Sequence, residues 1–325
     1  MLQGLPLVDN HLESGTLFRP VPSSHYQNSA TPSHGVILSF DVEEHFRIEA
    51  AAGLEVGSSL KASYREGLER TTRWLLEVLE LREIKATFFI LGHLALDNPS
   101  LVRSISDAGH EIASHGWGHQ KLHGLTPDTF REDVRRSKEA LENLTGREVV
   151  GYRAPTFSIV RQTAWAIDVL AELGFLYDSS IYPVRHDRYG VPDAPRSPYL
   201  VEGPSRDILE IPPLTLRLPR VNLPAAGGGY FRLFPPFVME RAIRQARYSG
   251  SHPTAMLYFH PWEFDPGQPR LPLRRINRFR TYVGLNSSRG RLEALLDRHQ
   301  FTQAAVVAGR LDLVRHELPR FRLGG

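Results

Sequence analysis

Short apolar runs alternate with longer amphipathic segments through most of the chain. The first run, residues 35–41, ends in acidic residues and predicts a buried strand. Segments in which apolar residues recur three and four positions apart predict helices between such runs. The predicted strands are residues 35–41, 86–91, 111–114, 149–152 and 255–259, and the predicted helices are residues 66–83, 99–108, 127–144, 161–173, 236–248 and 289–299.

This alternation predicts an α/β fold. Strands separated by helices form parallel βαβ units, in a barrel-like or open sheet whose active site lies at the carboxyl ends of the strands. Residues 182–237 break the pattern with many prolines and glycines, which predicts a long insertion of loops and short strands that shapes a groove. Residues 1–33 are predicted to be a flexible leader.

The charge balance and the lack of cysteine exclude several classes of function. The 39 basic and 36 acidic residues give a net charge of +3, which predicts no nucleic-acid partner. Without cysteine, a metal must be held by His, Asp or Glu. The first residues lack a signal-peptide pattern, and no apolar run reaches the roughly 20 residues that span a bilayer. We expect a soluble, cytoplasmic protein.

Two histidines lie four positions apart, at His115 and His119. If the segment coils, both imidazoles converge on one ion; the alternative is that they only share a loop. Gly116 and Gly118 favour a tight, irregular turn over a surface helix. His110 is predicted to pack or to cap.

Acidic residues follow the first predicted strand, in Asp41-Val-Glu43-Glu44. One alternative is a solvated acidic loop. Together with the histidine pair, however, these residues supply the nitrogen and oxygen ligands and the spare carboxylate that a catalytic divalent site needs. Asp41 and Glu43 would face the same side of a strand, so one can bind the ion while the other takes a proton.

Two further polar residues end short apolar strands. Arg153 can hold a carboxylate in a bidentate clamp, or lie at the surface before a proline turn. His260 can be a core histidine or, beside a metal site, the general acid for a leaving amine. The residue pattern alone leaves both pairs of alternatives open.

Four motifs occur in order along the chain, Ser39-Phe-Asp41, His115-Gly-Trp-Gly-His119, Arg153-Ala-Pro155 and Tyr258-Phe-His260. From about residue 35 to residue 259, the chain thereby resembles the polysaccharide deacetylases of carbohydrate esterase family 4. The resemblance implies a distorted (β/α) barrel of mostly parallel strands, as a single domain over residues 34–325 with a family-specific extension from about residue 180.

Other strings resemble one branch of that family, which is associated with exosortase-linked exopolysaccharide loci. They are Asp41-Val-Glu-Glu-His-Phe46, Tyr177-Asp-Ser-Ser-Ile-Tyr-Pro183, His186-Asp-Arg-Tyr-Gly190, Gly227-Gly-Gly-Tyr-Phe-Arg232 and His260-Pro-Trp-Glu263. This likeness implies a role in exopolysaccharide biosynthesis. For the matched motif residues, the family resemblance implies Asp41 as the catalytic base, Arg153 as its orienting residue, His115 and His119 as metal ligands, and His260 as the general acid.

The chain departs from the family pattern at two positions. Val42 stands where the family has a second aspartate, so the third metal ligand is predicted to be Glu43, with Glu44 as the alternative. Thr156 stands where the family has tyrosine; its backbone N–H can still hold an oxyanion, but the substrate wall is changed. The partner of the acid histidine is not identified, and Asp178 is one candidate.

The implied reaction is hydrolysis of N-acetyl groups on a polysaccharide or on a lipid-linked oligosaccharide met at the inner membrane face. We expect one divalent ion, with zinc preferred and cobalt or another divalent ion not excluded. Trp117, Tyr230 and Trp262 are predicted to wall the substrate site, as are Tyr182 and Phe231, although we expect more of these five in the core than in the wall. Two alternatives remain: hydrolysis of a small non-sugar amide such as a ureide, which a closed pocket would favour, and an inactive carbohydrate-binding protein.

Overall fold

The computed structural model describes residues 35–324, so the predicted leader lies outside the described residues. The strands are β1 Gly35–Val42, β2 Thr87–Ile90, β3 Glu111–Ser114, β4 Gly151–Tyr152, β5 Tyr177–Asp178, β6 Tyr199–Glu202, β7 Asp207–Glu210, β8 Thr215–Leu218, β9 Val221–Pro224, β10 Thr254–Phe259, β11 Phe301–Thr302 and β12 Arg320–Arg322. The α-helices are α1 Ser58–Glu80, α2 Leu94–Asp97, α3 Pro99–Asp107, α4 Pro127–Thr145, α5 Trp165–Glu172, α6 Gly228–Leu233, α7 Pro236–Ala246, α8 Arg275–Tyr282, α9 Leu285–Leu296 and α10 Ala304–Leu313.

The main sheet has ten strands, with the order β10-β1-β2-β3-β4-β5-β7-β6-β12 and with β11 also paired to β1. Every pair in it is parallel except β6 with β7. Within the described residues no pairing joins β12 back to β10. The predicted α/β fold of mostly parallel strands is confirmed, as a curled sheet that stays open.

The sheet is buried on both faces. Val36, Leu38 and Phe40 of β1 pack in the larger core, whereas Ile37 packs in a second core that α10 covers. Successive side chains of a strand point to opposite faces, so both faces of β1 are apolar. Each fully buried side chain of this kind contributes roughly 1.5–3 kcal/mol, and the strand ends are therefore held rigidly.

Helix boundaries follow local capping signals. Directly before α4, the Thr126 hydroxyl accepts a hydrogen bond from the N–H of Thr129 at 3.3 Å, and Pro127 occupies the first turn. The same helix ends at Gly146, whose φ of 66° is left-handed. The helix predicted from residue 66 begins earlier, at Ser58, because its buried stripe extends toward the amino terminus. No helix within residues 35–324 combines the length and apolar character needed to cross a bilayer.

Several short elements were not predicted from the sequence, among them β5, β12, α8 and α10. Residues 182–237 contain short strands and loops as predicted, but β6 and β7 extend the main sheet rather than forming a separate insertion. The helix predicted over residues 161–173 begins as a 3₁₀ turn, Arg161–Thr163, before α5. These differences arise where a segment is too short to show a hydrophobic period.

Four predicted site residues lie where adjacent strands end. Asp41 is near the end of β1, His115 follows β3, Arg153 follows β4 and His260 follows β10. Because β10, β1, β2, β3 and β4 are consecutive in the parallel sheet, their carboxyl ends share one edge. The fold thus collects these side chains on one side of the molecule.

Candidate active site

Glu43, His115 and His119 form a compact group whose possible ligand atoms all lie within 4.8 Å of one another. The segment from His115 to His119 is an irregular turn, with a φ of 76° at Gly116 and 64° at His119, rather than a helical turn. His115 Nδ1 donates to the carbonyl oxygen of Arg153 at 2.8 Å, because a carbonyl can only accept. Its Nε2 is therefore left with a lone pair, 4.0 Å from Glu43 Oε2.

The group fits a divalent ion. Glu43 Oε2 lies 2.5 Å from His119 Nε2, yet the contact lacks hydrogen-bond geometry and leaves this buried oxygen without a donor. Burial acts to raise the pKa of Glu43, but the neighbouring imidazoles outweigh it and lower the pKa to about 2. Two imidazole nitrogens and one carboxylate oxygen are a common set for catalytic zinc.

The structure places Glu44 away from this group, which decides between the two candidate third ligands. Its carboxylate contacts Arg47 at 2.5 Å, Arg65 at 3.7 Å and His93 at 3.5 Å. Burial acts to raise the pKa of Glu44, but these partners lower it to about 2. Glu43 is the carboxylate that can complete a site with the histidines.

Asp41 is held by the buried guanidinium of Arg153, but not by the predicted bidentate clamp. One nitrogen, Nη1, donates to Asp41 Oδ1 at 2.6 Å and to Ser39 Oγ at 2.9 Å. The other nitrogens donate to Ser179, Nε to its carbonyl oxygen and Nη2 to its hydroxyl. The Phe89 ring lies 4.0 Å from the guanidinium carbon. Because the guanidinium of Arg153 donates to three different residues, it binds only one oxygen of Asp41 and leaves Oδ2 without a contact to it.

His260 faces the same group from β10. Its Nε2 lies 3.9 Å from Asp41 Oδ2 and 3.7 Å from Glu43 Oε1, while its Nδ1 is 2.8 Å from Glu263 Oε1. Glu263 is held in turn by Arg232 Nε at 2.7 Å. Burial acts to lower the pKa of His260, but its hydrogen bond to Glu263 and the nearby carboxylates raise the pKa to about 9.

Asp178, the candidate partner of His260, is elsewhere. Its buried carboxylate accepts from the Ser180 hydroxyl at 2.5 Å and shares a hydrogen bond with Glu210, and it makes no contact with His260 among the described residues. The sequence signal for Glu263 was its position three residues after the histidine, across a proline. In that turn the Glu263 carboxylate also accepts the backbone N–H of His260 at 3.0 Å.

Thr156 lies on a strained loop beside these groups. Its φ of 57° and the φ of 51° at Phe157 are left-handed, which is unusual for consecutive residues other than glycine. The loop is fixed by Ala154, whose N–H donates to Ser180 Oγ at 2.7 Å. The N–H of Thr156 forms no hydrogen bond within the described part of the chain. It is therefore available to an anionic oxygen in the cavity.

One cavity of about 220 Å³ brings these residues together. Trp262 lines it, with its ring stacked 5.5 Å from that of His260. Trp117 and Tyr230, which were predicted as walls, are not among the described residues that line it. Trp117 packs under the Arg136 guanidinium at 3.7 Å, and Tyr230 packs against Phe234 at 5.6 Å. The side chains of the cavity include Asp41, Glu43, His115, His119, Thr156, Phe157, Arg188, Tyr189, Tyr258, His260, Trp262 and Arg280.

Three of those wall residues, Phe157, Tyr189 and Tyr258, were not predicted from the sequence. Tyr182 and Phe231 are core residues, as expected for most of these rings. A larger hollow of about 600 Å³ lies elsewhere and is lined by residues such as Arg206, Asp207 and Arg320. It holds no histidine, and Arg320 is already paired with Asp207. The smaller cavity is therefore the candidate active site.

Comparisons with known proteins match this chain in two segments. Residues 56–177 match the polysaccharide deacetylase family, and residues 179–308 match a domain of unknown function, DUF3473. The peptidoglycan deacetylase-like protein FGM2 of Gibberella zeae is 38% identical over 109 residues, which are 33% of this chain and 31% of that protein. The segment of residues 56–177 belongs to the polysaccharide deacetylases of carbohydrate esterase family 4.

Two solved structures share the fold of this chain. A protein from Mycobacterium smegmatis described as a polysaccharide deacetylase is 23% identical, with a TM-score of 0.57 over 89% of this chain and 93% of that one. Puue allantoinase is 19% identical, with a TM-score of 0.57 over 86% and 91% of the two chains. The match to FGM2 and that to the peptidoglycan-N-acetylglucosamine deacetylase PgdA of Listeria monocytogenes span only 31% and 23% of those proteins.

The candidate site crosses the boundary between the two matched segments. His115, His119 and Arg153 lie in the first segment, whereas His260 lies in the second. Asp41, on β1, precedes both. The second segment therefore contributes to the same sheet and the same cavity as the first.

Proposed function

We propose that this chain hydrolyses N-acetyl groups of a polysaccharide or oligosaccharide and releases acetate. The observation that carries the proposal is the cavity itself, in which a free oxygen of Asp41 and a ring nitrogen of His260 flank Glu43 and its two histidines. Amide hydrolysis needs a base for the attacking water and an acid for the leaving amine, close to a group that polarises the carbonyl. All three requirements have candidate residues here.

Asp41 is the proposed general base. Arg153 fixes Oδ1, so the carboxylate cannot turn, and Oδ2 is left to take the proton of the attacking water. The N–H of Thr156 is positioned to donate to the oxyanion of the tetrahedral intermediate. The strained backbone at Thr156 supports this role, because such conformations cluster at active sites.

His260 is the proposed general acid. With its pKa raised to about 9, its ring is protonated at neutral pH and can donate from Nε2 to the departing sugar amine. Glu263 holds Nδ1 and so keeps the ring directed at the cavity. Arg232 in turn keeps the pKa of Glu263 low, against burial, which acts to raise it.

Glu43, His115 and His119 are the proposed ligands of one divalent ion. Lewis-acid polarisation of the acetamide carbonyl and of the attacking water is the chemistry that such an ion supplies when bound. Zinc is the preferred ion on the basis of the two nitrogens and one oxygen, with cobalt as an alternative.

The biological setting is also part of the proposal. A place in exopolysaccharide biosynthesis rests on the exosortase-associated strings of the sequence, and a cytoplasmic location on its composition. A lipid-linked substrate at the inner membrane face is supported by Ile276 and Phe279, which are 62% and 58% exposed on α8, next to the cavity residue Asn277.

Hydrolysis of a small non-sugar amide is the second candidate. The cavity volume of about 220 Å³ favours it, because pockets for drug-sized ligands usually span roughly 300–1,000 Å³. A polymer would therefore place one acetylated unit in the cavity and the remainder outside it. Acetate release from oligosaccharides, compared with hydrolysis of allantoin, separates the two candidates.

The test is acetate release from N-acetylated oligosaccharides by metal-stripped protein, with and without added zinc. We expect zinc-dependent release that His115→Ala abolishes. His123→Ala is the matched control, because His123 is an exposed histidine outside the cavity. Tight sugar binding without release, unchanged in His115→Ala, would instead indicate an inactive carbohydrate-binding protein.

A further inference from the structure

Two arginines at the cavity have no charge partner. Arg188 follows β5 in a half-buried loop, and Arg280 is exposed on α8. Both line the cavity that holds Asp41 and His260. Neither guanidinium forms an ion pair or a hydrogen bond within the described part of the chain. They are free to contact a molecule that enters the cavity.

The two guanidinium groups lie close enough together to affect the pKa values of the same two neighbours, His186 and Tyr230. Burial lowers the pKa of His186, Asp187 acts against that decrease, and Arg188 and Arg280 both lower it further. Burial raises the pKa of Tyr230, and the same two arginines act against the rise. Residues far apart in sequence thus bring two positive charges to one set of neighbours.

The loop of Arg188 is supported by stacked rings. Tyr189 lies against His186 with ring centres 4.0 Å apart and against Tyr182 at 5.7 Å, both nearly parallel. Phe157 packs on Tyr189 from the cavity side at 5.6 Å. An anchored loop loses less freedom when its arginine binds a ligand, which favours binding.

The carboxylates around the cavity are already engaged. Asp41 is held by Arg153, and Glu49 contacts Lys121 at 3.0 Å. Glu43 belongs to the proposed metal group. The nearby Asp187 is exposed and lies 3.0 Å from His186 Nδ1. The positive charge of the two arginines is therefore uncompensated by the wall of the cavity.

We propose that Arg188 and Arg280 form an anion subsite, which binds a carboxylate or phosphate group of the saccharide whose acetamide is hydrolysed. Guanidinium groups match both anions in geometry and charge. The inference rests on the proposed function and names its substrate class, acidic N-acetylated saccharides. Both arginines lie in the segment matched to a domain of unknown function, which would thereby select the substrate.

The experiment compares acidic and neutral probes on the zinc-loaded full chain. A hyaluronan tetrasaccharide is paired with chitotetraose to test a carboxylate, and N-acetylglucosamine 1-phosphate is paired with N-acetylglucosamine to test a phosphate. Initial binding is followed by intrinsic fluorescence on mixing, and acetate release is measured in parallel. The proteins are wild type, Arg188→Gln, Arg280→Gln and the control Arg244→Gln, which changes an exposed arginine outside the cavity.

We expect wild type to bind at least one acidic probe about tenfold more tightly than its neutral partner, as for a charge-assisted hydrogen bond at a partly exposed site. Arg188→Gln and Arg280→Gln should each reduce this ratio, and added salt should reduce it in wild type. Arg244→Gln should leave it unchanged. The acidic probe with the larger ratio of acidic to neutral affinity shows whether the subsite prefers a carboxylate or a phosphate. Any binding of the anion to zinc is the same in all four proteins and does not change the comparison between them.

Equal affinity for acidic and neutral probes would overturn the proposal, as would a ratio that survives both cavity substitutions. Failure of the proposed function looks different. If no probe releases acetate, while an acidic probe still binds through the two arginines, the anion subsite stands and deacetylation is wrong. If neutral probes are deacetylated as well as acidic ones in every variant, deacetylation stands and the subsite is wrong.

Discussion

The Glu263→Gln substitution tests whether the carboxylate of Glu263 raises the pKa of His260, the proposed general acid. The substitution keeps the size of the side chain and its contact with His260, but it removes the negative charge beside Nδ1. Since that charge favours the protonated ring, its loss lowers the pKa of His260. The protonated acid then disappears at lower pH, so the alkaline limb of the pH–rate profile moves toward neutral pH.

The size of the shift follows from the interaction that is lost. A buried hydrogen bond to a charged group is worth about 1.5–3 kcal/mol, which corresponds to a pKa change of about one to two units. A bound divalent ion acts on wild type and variant alike, so the prediction concerns the difference between their profiles. At alkaline pH the rate of the variant should therefore fall below that of wild type by about 10–100-fold, the factor that a pKa decrease of one to two units gives.

The assay is kcat/KM for acetate release as a function of pH, with zinc present. Glu240→Gln is the matched control, because Glu240 contacts His299 Nε2 at 2.9 Å outside the active-site cavity. Removal of the Glu263 charge leaves Arg232 buried without an anion, so thermal melting must confirm that the variant is folded. If the Glu263→Gln variant is folded and its alkaline limb does not shift, Glu263 is not the group that raises the pKa of His260.

Three further predictions concern the other carboxylates. Asp41→Asn should lower kcat by about 10²–10⁴-fold and leave zinc affinity unchanged. Glu43→Gln should weaken zinc binding by more than the roughly 10–100-fold that is typical when a residue supporting a metal ligand is changed. Calorimetric titration with zinc distinguishes the two variants. Glu44→Gln should leave zinc affinity unchanged, and a loss as large as that of Glu43→Gln would contradict the ligand assignment. Burial raises the pKa of Asp178 to about 6 and that of Glu210 further, so the folded state keeps protons that the unfolded chain releases, and stability falls as pH rises above about 4.5. Glu210→Gln should reduce that fall between about pH 5 and pH 8, as measured by urea unfolding.

The strand ends of the site could be predicted from the sequence because their signal is local. Asp41 and His260 each terminate an apolar run, and parallel strands bring such positions to one edge. The choice of Glu43 over Glu44 followed from strand geometry only as a preference. The structure favours Glu43, because Glu44 contacts Arg47, three residues later, and Arg65 and His93 from more distant segments.

The remaining features depend on contacts between distant segments. Arg232 reaches Glu263 from α6, and no spacing in the sequence connects them. Trp117 was predicted as an aromatic wall of the substrate site, but after the left-handed turn at Gly116 its ring packs under Arg136 of α4. The direction of an aromatic ring in an irregular turn is set by such packing and not by its neighbours in sequence.

The segment matched to a domain of unknown function shares the main sheet and the cavity with the first matched segment. Its strand β10 pairs with β1 in parallel from Gly35 beside Thr254 to Phe40 beside Phe259. The pairing sets His260, the proposed acid that follows β10, opposite Asp41, the proposed base on β1, which precedes both matched segments. The first matched segment supplies His115 and His119, the proposed metal ligands, whereas the second supplies His260, the proposed acid, and much of the cavity wall. Differences in substrate choice among such chains should therefore follow the second segment, while the hydrolytic chemistry requires both.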